Sequence, residues 1–214
     1  MGDPERYLSP LNPLKNAALK GDVTSLIQLL ISHRRHKSYS SFDINIKEAC
    51  TGKTSLHVAS ACGHYDVCRV LLQNGAHINA IDNLGCTALR FAAQSGHLQV
   101  CQLIIKSGAN INVTTIGGVS PLMMSAQNGH YRVCQLLLQN GAHVNALDGE
   151  GKSALTFAVN TGRYEVSQLL IERGANLGHV HGRGLLRHSI NQGHDRISRL
   201  LVHRCALLNT SKSL

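Results

Sequence analysis

Groups able to do chemistry are plentiful in this chain. It carries seven cysteines and 13 histidines, and two strings, Thr51-Gly52-Lys53-Thr54-Ser55 and Gly149-Glu150-Gly151-Lys152-Ser153, have the look of phosphate-binding loops. Spacing argues against each in turn. A phosphate loop needs a glycine five residues before its Gly-Lys pair, and those positions hold Lys47 and Ala146. The cysteines are odd in number and include no C-x-x-C pair, which weakens both zinc and disulfide readings. Cys62-x-His64-x3-Cys68 is the one local cluster of ligand types, and it lacks the paired spacing of a zinc site. No nucleophile, base and orienting group recur together. No metal, cofactor or catalytic residue is expected.

Cys68, Cys101 and Cys134 stand 33 residues apart, and the same period runs through the glycines. Gly52, Gly85, Gly118 and Gly151 form one series, Gly63, Gly96, Gly129 and Gly162 a second, and Gly75, Gly108, Gly141 and Gly174 a third. A fixed period of this length marks a stack of repeats. The cysteines then occupy one equivalent position on successive helices. Such helices stand about 8–10 Å apart, beyond the roughly 7 Å that a disulfide allows. They read as buried thiols acting as small hydrophobes in a reducing compartment.

Each period opens with Gly-x-Thr/Ser-x-Leu, as in Gly85-Cys86-Thr87-Ala88-Leu89. The hydroxyl suits the unpaired amides of a first helical turn. Eleven residues after the first glycine a second, usually followed by His (His64, His97, His130; Arg163 is the exception), stops that helix. Val-x-x-x-Leu-Leu runs such as Val133 to Leu138 then give one apolar stripe on a second helix. Gly-Ala and, in the first three, Asn79, Asn112 and Asn145 close the unit as a turn. The unit is helix, tight turn, helix, extended loop.

This order and period closely resemble the ankyrin repeat. The resemblance implies an all-α solenoid of stacked helix-turn-helix units with β-hairpin-like loops: four full repeats between two capping repeats. The expected boundaries are a tail at 1–12, an N-terminal capping repeat at 13–33, a basic inserted loop at 34–48, and repeats at 49–81, 82–114, 115–147 and 148–178. A C-terminal capping repeat at 179–208 and a tail at 209–214 complete it. Gly162 to Gly193 is 31 residues, so the last loop is shorter. With no Trp and three Phe, a large aromatic core is not expected, and small side chains suit thin stacked helices.

The resemblance also says where recognition residues lie: at the loop tips and the two positions before the helix-ending glycine, lining a concave surface. Here these are Asn83 and Leu84, Gln94 and Ser95, Ile116, Gln127 and Asn128, Glu150 and Lys152, Asn160 and Thr161, and Asn191 and Gln192. The helix positions are rich in amides and carry no charge, which suits a peptide or protein surface. Asn79, and Asn145 in a similar frame, resemble Asn residues that are β-hydroxylated in ankyrin repeats.

The net charge of +9 is uneven: +3 over residues 1–53, +1 over 54–178 and +5 over 179–214. One basic cluster contains Arg34, Arg35 and Lys37; the other contains Arg183, Arg187, Arg196 and Arg199. They raise a second reading, an electrostatic adaptor or inhibitor that recruits acidic or phosphorylated partners. Nucleic acid is disfavoured because no aromatic residues interleave the arginines. A third reading, an enzyme, is remote. No apolar run is long enough to span a bilayer, residues 1–10 lack a signal core, and Arg6 stands where myristoylation wants a hydroxyl. The expectation is therefore a cytoplasmic or nuclear module for one or more protein partners, monomeric unless in complex.

Overall fold

The fold follows from a computed structural model, which describes residues 12–35, 43–177 and 181–210. Among the described residues twelve helices come in six pairs. The first of each pair are α1 (Pro13–Lys20), α3 (Ser55–Cys62), α5 (Ala88–Ser95), α7 (Pro121–Asn128), α9 (Ala154–Asn160) and α11 (His181–Asn191). The second are α2 (Val23–Arg35), α4 (Tyr65–Gln73), α6 (Leu98–Lys106), α8 (Tyr131–Gln139), α10 (Tyr164–Glu172) and α12 (Asp195–Thr210). First helices pack on first helices and second on second, so the chain is an all-α solenoid of two layers.

Local chemistry sets the starts and stops. Thr87 Oγ1 accepts from the backbone N–H of Arg90, Ser120 Oγ from Met123 and Ser153 Oγ from Thr156, each at 3.3 Å. Gly63 ends α3 at φ 77° and its N–H returns to the carbonyls of Ala59 and Ser60. In the fourth repeat the helix stops one residue earlier, at a Thr161 cap whose hydroxyl donates to the carbonyls of Phe157 and Gln127.

The core is two ladders of side chains at the repeat period. Leu56, Leu89, Leu122 and Leu155 form one, Leu71, Ile104, Leu137 and Leu170 the other, none more than 2 % exposed. Cys68, Cys101 and Cys134 sit beside the second ladder at 0 % exposed. Burial pushes their thiols up to about 11, 12 and 11. Hydroxyls of Ser60 and Ser125 face the thiols of Cys68 and Cys134. At the corresponding later positions Ser167 and Ser198 donate to the carbonyls of Arg163 and His194, so a hydroxyl is accommodated there.

No strand forms among the described residues. The loops are hairpin-like through single bonds: Asp82 N to Cys86 O, Thr115 N to Val119 O and Asp148 N to Lys152 O. Asp82 Oδ1 accepts from Leu84 and Cys86, and Asp148 Oδ1 from Glu150 and Lys152, whereas Thr115 supplies one such bond, to Val119. Two boundaries move. α2 continues through Arg35, because Leu26 and Leu30 keep it on the core, so Arg34 and Arg35 lie on a helix and not in the expected loop. α12 runs to Thr210, two residues past the expected capping repeat. Lys37 lies outside the described residues.

Candidate functional site

The seams from the first helix pair to the fourth full repeat are stitched in both directions, and these stitches fix the surface that first helices and loops present. His64 Nε2 lies 3.0 Å from Leu19 O, His97 Nε2 3.0 Å from Ala61 O and His130 Nε2 3.0 Å from Gln94 O. Arg163 takes the same place in the next seam, Nε donating to Gln127 O at 3.1 Å. In the other direction Asn45 Oδ1 accepts from His77 N, Asn79 Oδ1 from Asn110 N, Asn112 Oδ1 from His143 N and Asn145 Oδ1 from Asn176 N. Asn145 also donates to Gly174 O at 3.1 Å. Asn79 and Asn145 are exposed, but their amides are part of the loop. Loop tips join through Asn83 N to Thr51 O, Ile116 N to Leu84 O and Gly149 N to Gly117 O.

The lures of the sequence are dispersed. Cys62 is exposed, Cys68 is buried and His64 is turned to Leu19 O. Lys53 lies over the Phe91 ring at 4.8 Å, and Lys152 pairs with Glu150. Glu48, beside Lys15 and Thr51, has its carboxyl held below the ordinary value by hydrogen bonds from both.

His57 is 1 % exposed and ties its helix to the following loop. Thr54 N donates to Nδ1 at 3.0 Å, so the proton rides on Nε2, which meets Ala80 O at 2.9 Å and Cys86 O at 3.1 Å. Burial holds its pKa below the ordinary value, against the bonds to those carbonyls and the charge of Asp82. Below the unfolded value of about 6.5 the unfolded chain binds a proton that the fold refuses, so stability is lost as pH falls, by up to about 1.4 kcal/mol per pH unit. Urea unfolding at mildly acidic and neutral pH should show a smaller difference for His57→Gln than for the native chain. Equal differences would remove His57 as the cause.

The expected recognition residues all reach the surface. Asn83, Gln94, Ser95, Asn128, Glu150, Asn160, Thr161, Asn191 and Gln192 are exposed, and Gln127 and Lys152 partly so. Leu84 is 65 % and Ile116 82 % exposed, among the most exposed large apolar residues described. Arg90 Nη1 donates to Gln94 Oε1 at 3.0 Å, and Asn128 Nδ2 to Met124 O at 2.9 Å. Asn83 Nδ2 donates to Cys50 O. None of the six first helices contains an Asp or Glu, a feature the sequence reading passed over although the sequence carries it.

The C-terminal arginines are partly engaged. Arg196 lies over the Tyr164 ring at 4.0 Å and 3.7 Å from Glu165 Oε1. Arg187 and Arg199 are exposed on α11 and α12, and Arg183 lies in α11.

A family model described as ankyrin repeats (3 copies) matches residues 14–115, 89–181 and 122–212, nearly the whole chain. The chain belongs to the ankyrin-repeat family, whose members are in general non-catalytic protein-protein interaction modules. A search among characterised proteins returns no match. No helix among the described residues is long and apolar enough to cross a membrane.

Proposed function

We propose that this protein is a non-catalytic adaptor that holds a partner protein on the face built by its first helices and loop tips. The observation that carries this reading is the pair Leu84 and Ile116, 65 % and 82 % exposed on neighbouring tips joined by the bond from Ile116 N to Leu84 O. Large apolar side chains on a hydrogen-bonded backbone, flanked by amides and hydroxyls, are what an interface centre with a polar rim requires. The seven free cysteines, four of them buried, fit a cytosolic or nuclear setting. In the same reading the free chain is a monomer.

Asp at both Leu84 and Ile116 is expected to weaken partner capture from cell extract about tenfold or more, with thermal unfolding unchanged, because both side chains are solvent-exposed. Charge reversal at Arg187 and Arg199 should leave capture within about twofold. The opposite ranking would transfer the function to the electrostatic reading, in which basic ends recruit acidic or phosphorylated partners.

A further inference from the structure

Gln94, Gln127, Asn160 and Asn191 occupy one equivalent position on four consecutive first helices, two residues before the glycine that follows each helix. They form an amide ladder with one rung per repeat. No described residue hydrogen-bonds the side chains of Gln127, Asn160 or Asn191, whereas the other loop and seam amides described above are already in use. Packed helices stand about 8–10 Å apart. A polyproline II helix advances about 3.1 Å per residue with three residues per turn, so the same face of its backbone returns about every 9 Å. A β-strand does not match, because its third residue points to the opposite side. The polyproline backbone also makes no internal hydrogen bonds, leaving carbonyls for amide donors.

Charge narrows the occupant further. The first helices carry no Asp or Glu. The first two rungs each have a guanidinium beside them, Arg90 at Gln94 and Arg163 at the carbonyl of Gln127. Glu150, which shares a recess with Asn160, is paired with Lys152. Beside Asn160 lies a recess of about 210 Å³ that Glu150, Lys152, Thr156, Leu185 and His188 also line, room for one side chain of the peptide.

Resting on the protein-binding reading above, we infer that the amide ladder Gln94-Gln127-Asn160-Asn191 docks an extended, proline-containing peptide of a partner. The peptide has no Lys or Arg, and it carries an Asp or Glu that pairs with Arg163. Every third carbonyl accepts from a rung, so four rungs span about nine or ten residues.

The test is selection of a displayed random library of about twelve-residue peptides on the full chain, then anisotropy with synthetic peptides from the enriched set. Enriched sequences should hold prolines and an acidic residue and lack basic ones. Permuting a binder so that its prolines no longer recur every third residue should weaken it at least tenfold. Gln127→Ala and Asn160→Ala should each weaken binding about fivefold, one hydrogen bond's worth, and Arg163→Glu more than tenfold. Arg132→Glu, on the exposed face of α8, should leave it unchanged; it and the two ladder variants should unfold at the native temperature, while Arg163→Glu, which gives up its bond to Gln127 O, should unfold somewhat lower yet stay folded at the assay temperature. Basic enriched peptides, indifference to the ladder variants, or no enrichment would each overturn the inference. If no peptide binds but capture of a partner still depends on Leu84 and Ile116, only the ladder proposal falls; if that dependence is missing too, the protein-binding reading falls with it.

Discussion

Gly63→Ala is expected to destabilise the fold by roughly 2–4 kcal/mol, far more than Gly75→Ala. Both residues have positive φ, 77° and 89°, where a side chain adds strain of about 1–3 kcal/mol. The difference is what a Cβ would meet. At Gly63 it would stand 2.6 Å from Nδ1 of His97, while at Gly75 nothing lies within 4 Å. The His97 ring would have to swing away and surrender its contact with Ala61 O, adding about 0.5–1.5 kcal/mol for the lost bond. A double-mutant cycle checks the cause by urea unfolding. On a His97→Ala background the cost of Gly63→Ala should fall to that of Gly75→Ala, roughly 1 kcal/mol. If it does not, the close approach of the imidazole is not what holds the glycine.

Leu137→Ala should cost roughly 2–5 kcal/mol, the range for emptying a sealed apolar site. Leu137 is 0 % exposed and stands in the ladder between Ile104 and Leu170, also at 0 %. Helices α6 and α10 lie on either side of α8 and are themselves held by it, so neither can collapse freely into the hole. In a stack stabilised by nearest-neighbour contacts the damage should stay near the third repeat. Hydrogen exchange should quicken in α7 and α8 while α3 keeps its protection. Leu84→Ala, at 65 % exposure, should change stability by no more than about 0.5 kcal/mol. Uniform loss of protection across all helices would mean that the chain unfolds as one block.

The architecture was legible because its determinants are local and repeated. Thr87 or Ser153 caps the helix it precedes, Gly63 ends the helix it follows, and the apolar stripes face inward as their spacing requires. The cysteine ladder was legible for the same reason. The bonds that join repeats were less so. His97 follows a glycine in the sequence, but its partner Ala61 lies 36 residues back, and nothing in Gly-His names a carbonyl in the neighbouring unit. Asn45 plays the same part in its seam as the three later asparagines in theirs, yet it stands outside the full repeats and only the fold reveals the kinship. The extension of α2 to Arg35 was hidden by charge: Arg34-Arg35 reads as loop, while Leu26 and Leu30 hold the preceding turns on the core. The candidate face was found by resemblance and its residues are exposed, but which amides stay unengaged depends on geometry that no spacing encodes.

The stitching of the seams has a further consequence for how such a chain can change in length. From the first full repeat to the fourth, each seam joins a residue to the occupant of an equivalent place about 29 to 36 residues away: Asn83 to Cys50, His97 to Ala61, Asn112 to Gly141. Excising residues 82–114 would bring His130 to Gly63 and Ala61, and Ile116 to Thr51, each meeting the same chemistry as before. Losing a single residue within α6 would instead turn the helix by about 100° and carry Ile104 away from its ladder. For this molecule, a deletion of a whole period is a gentler edit than a deletion of one residue.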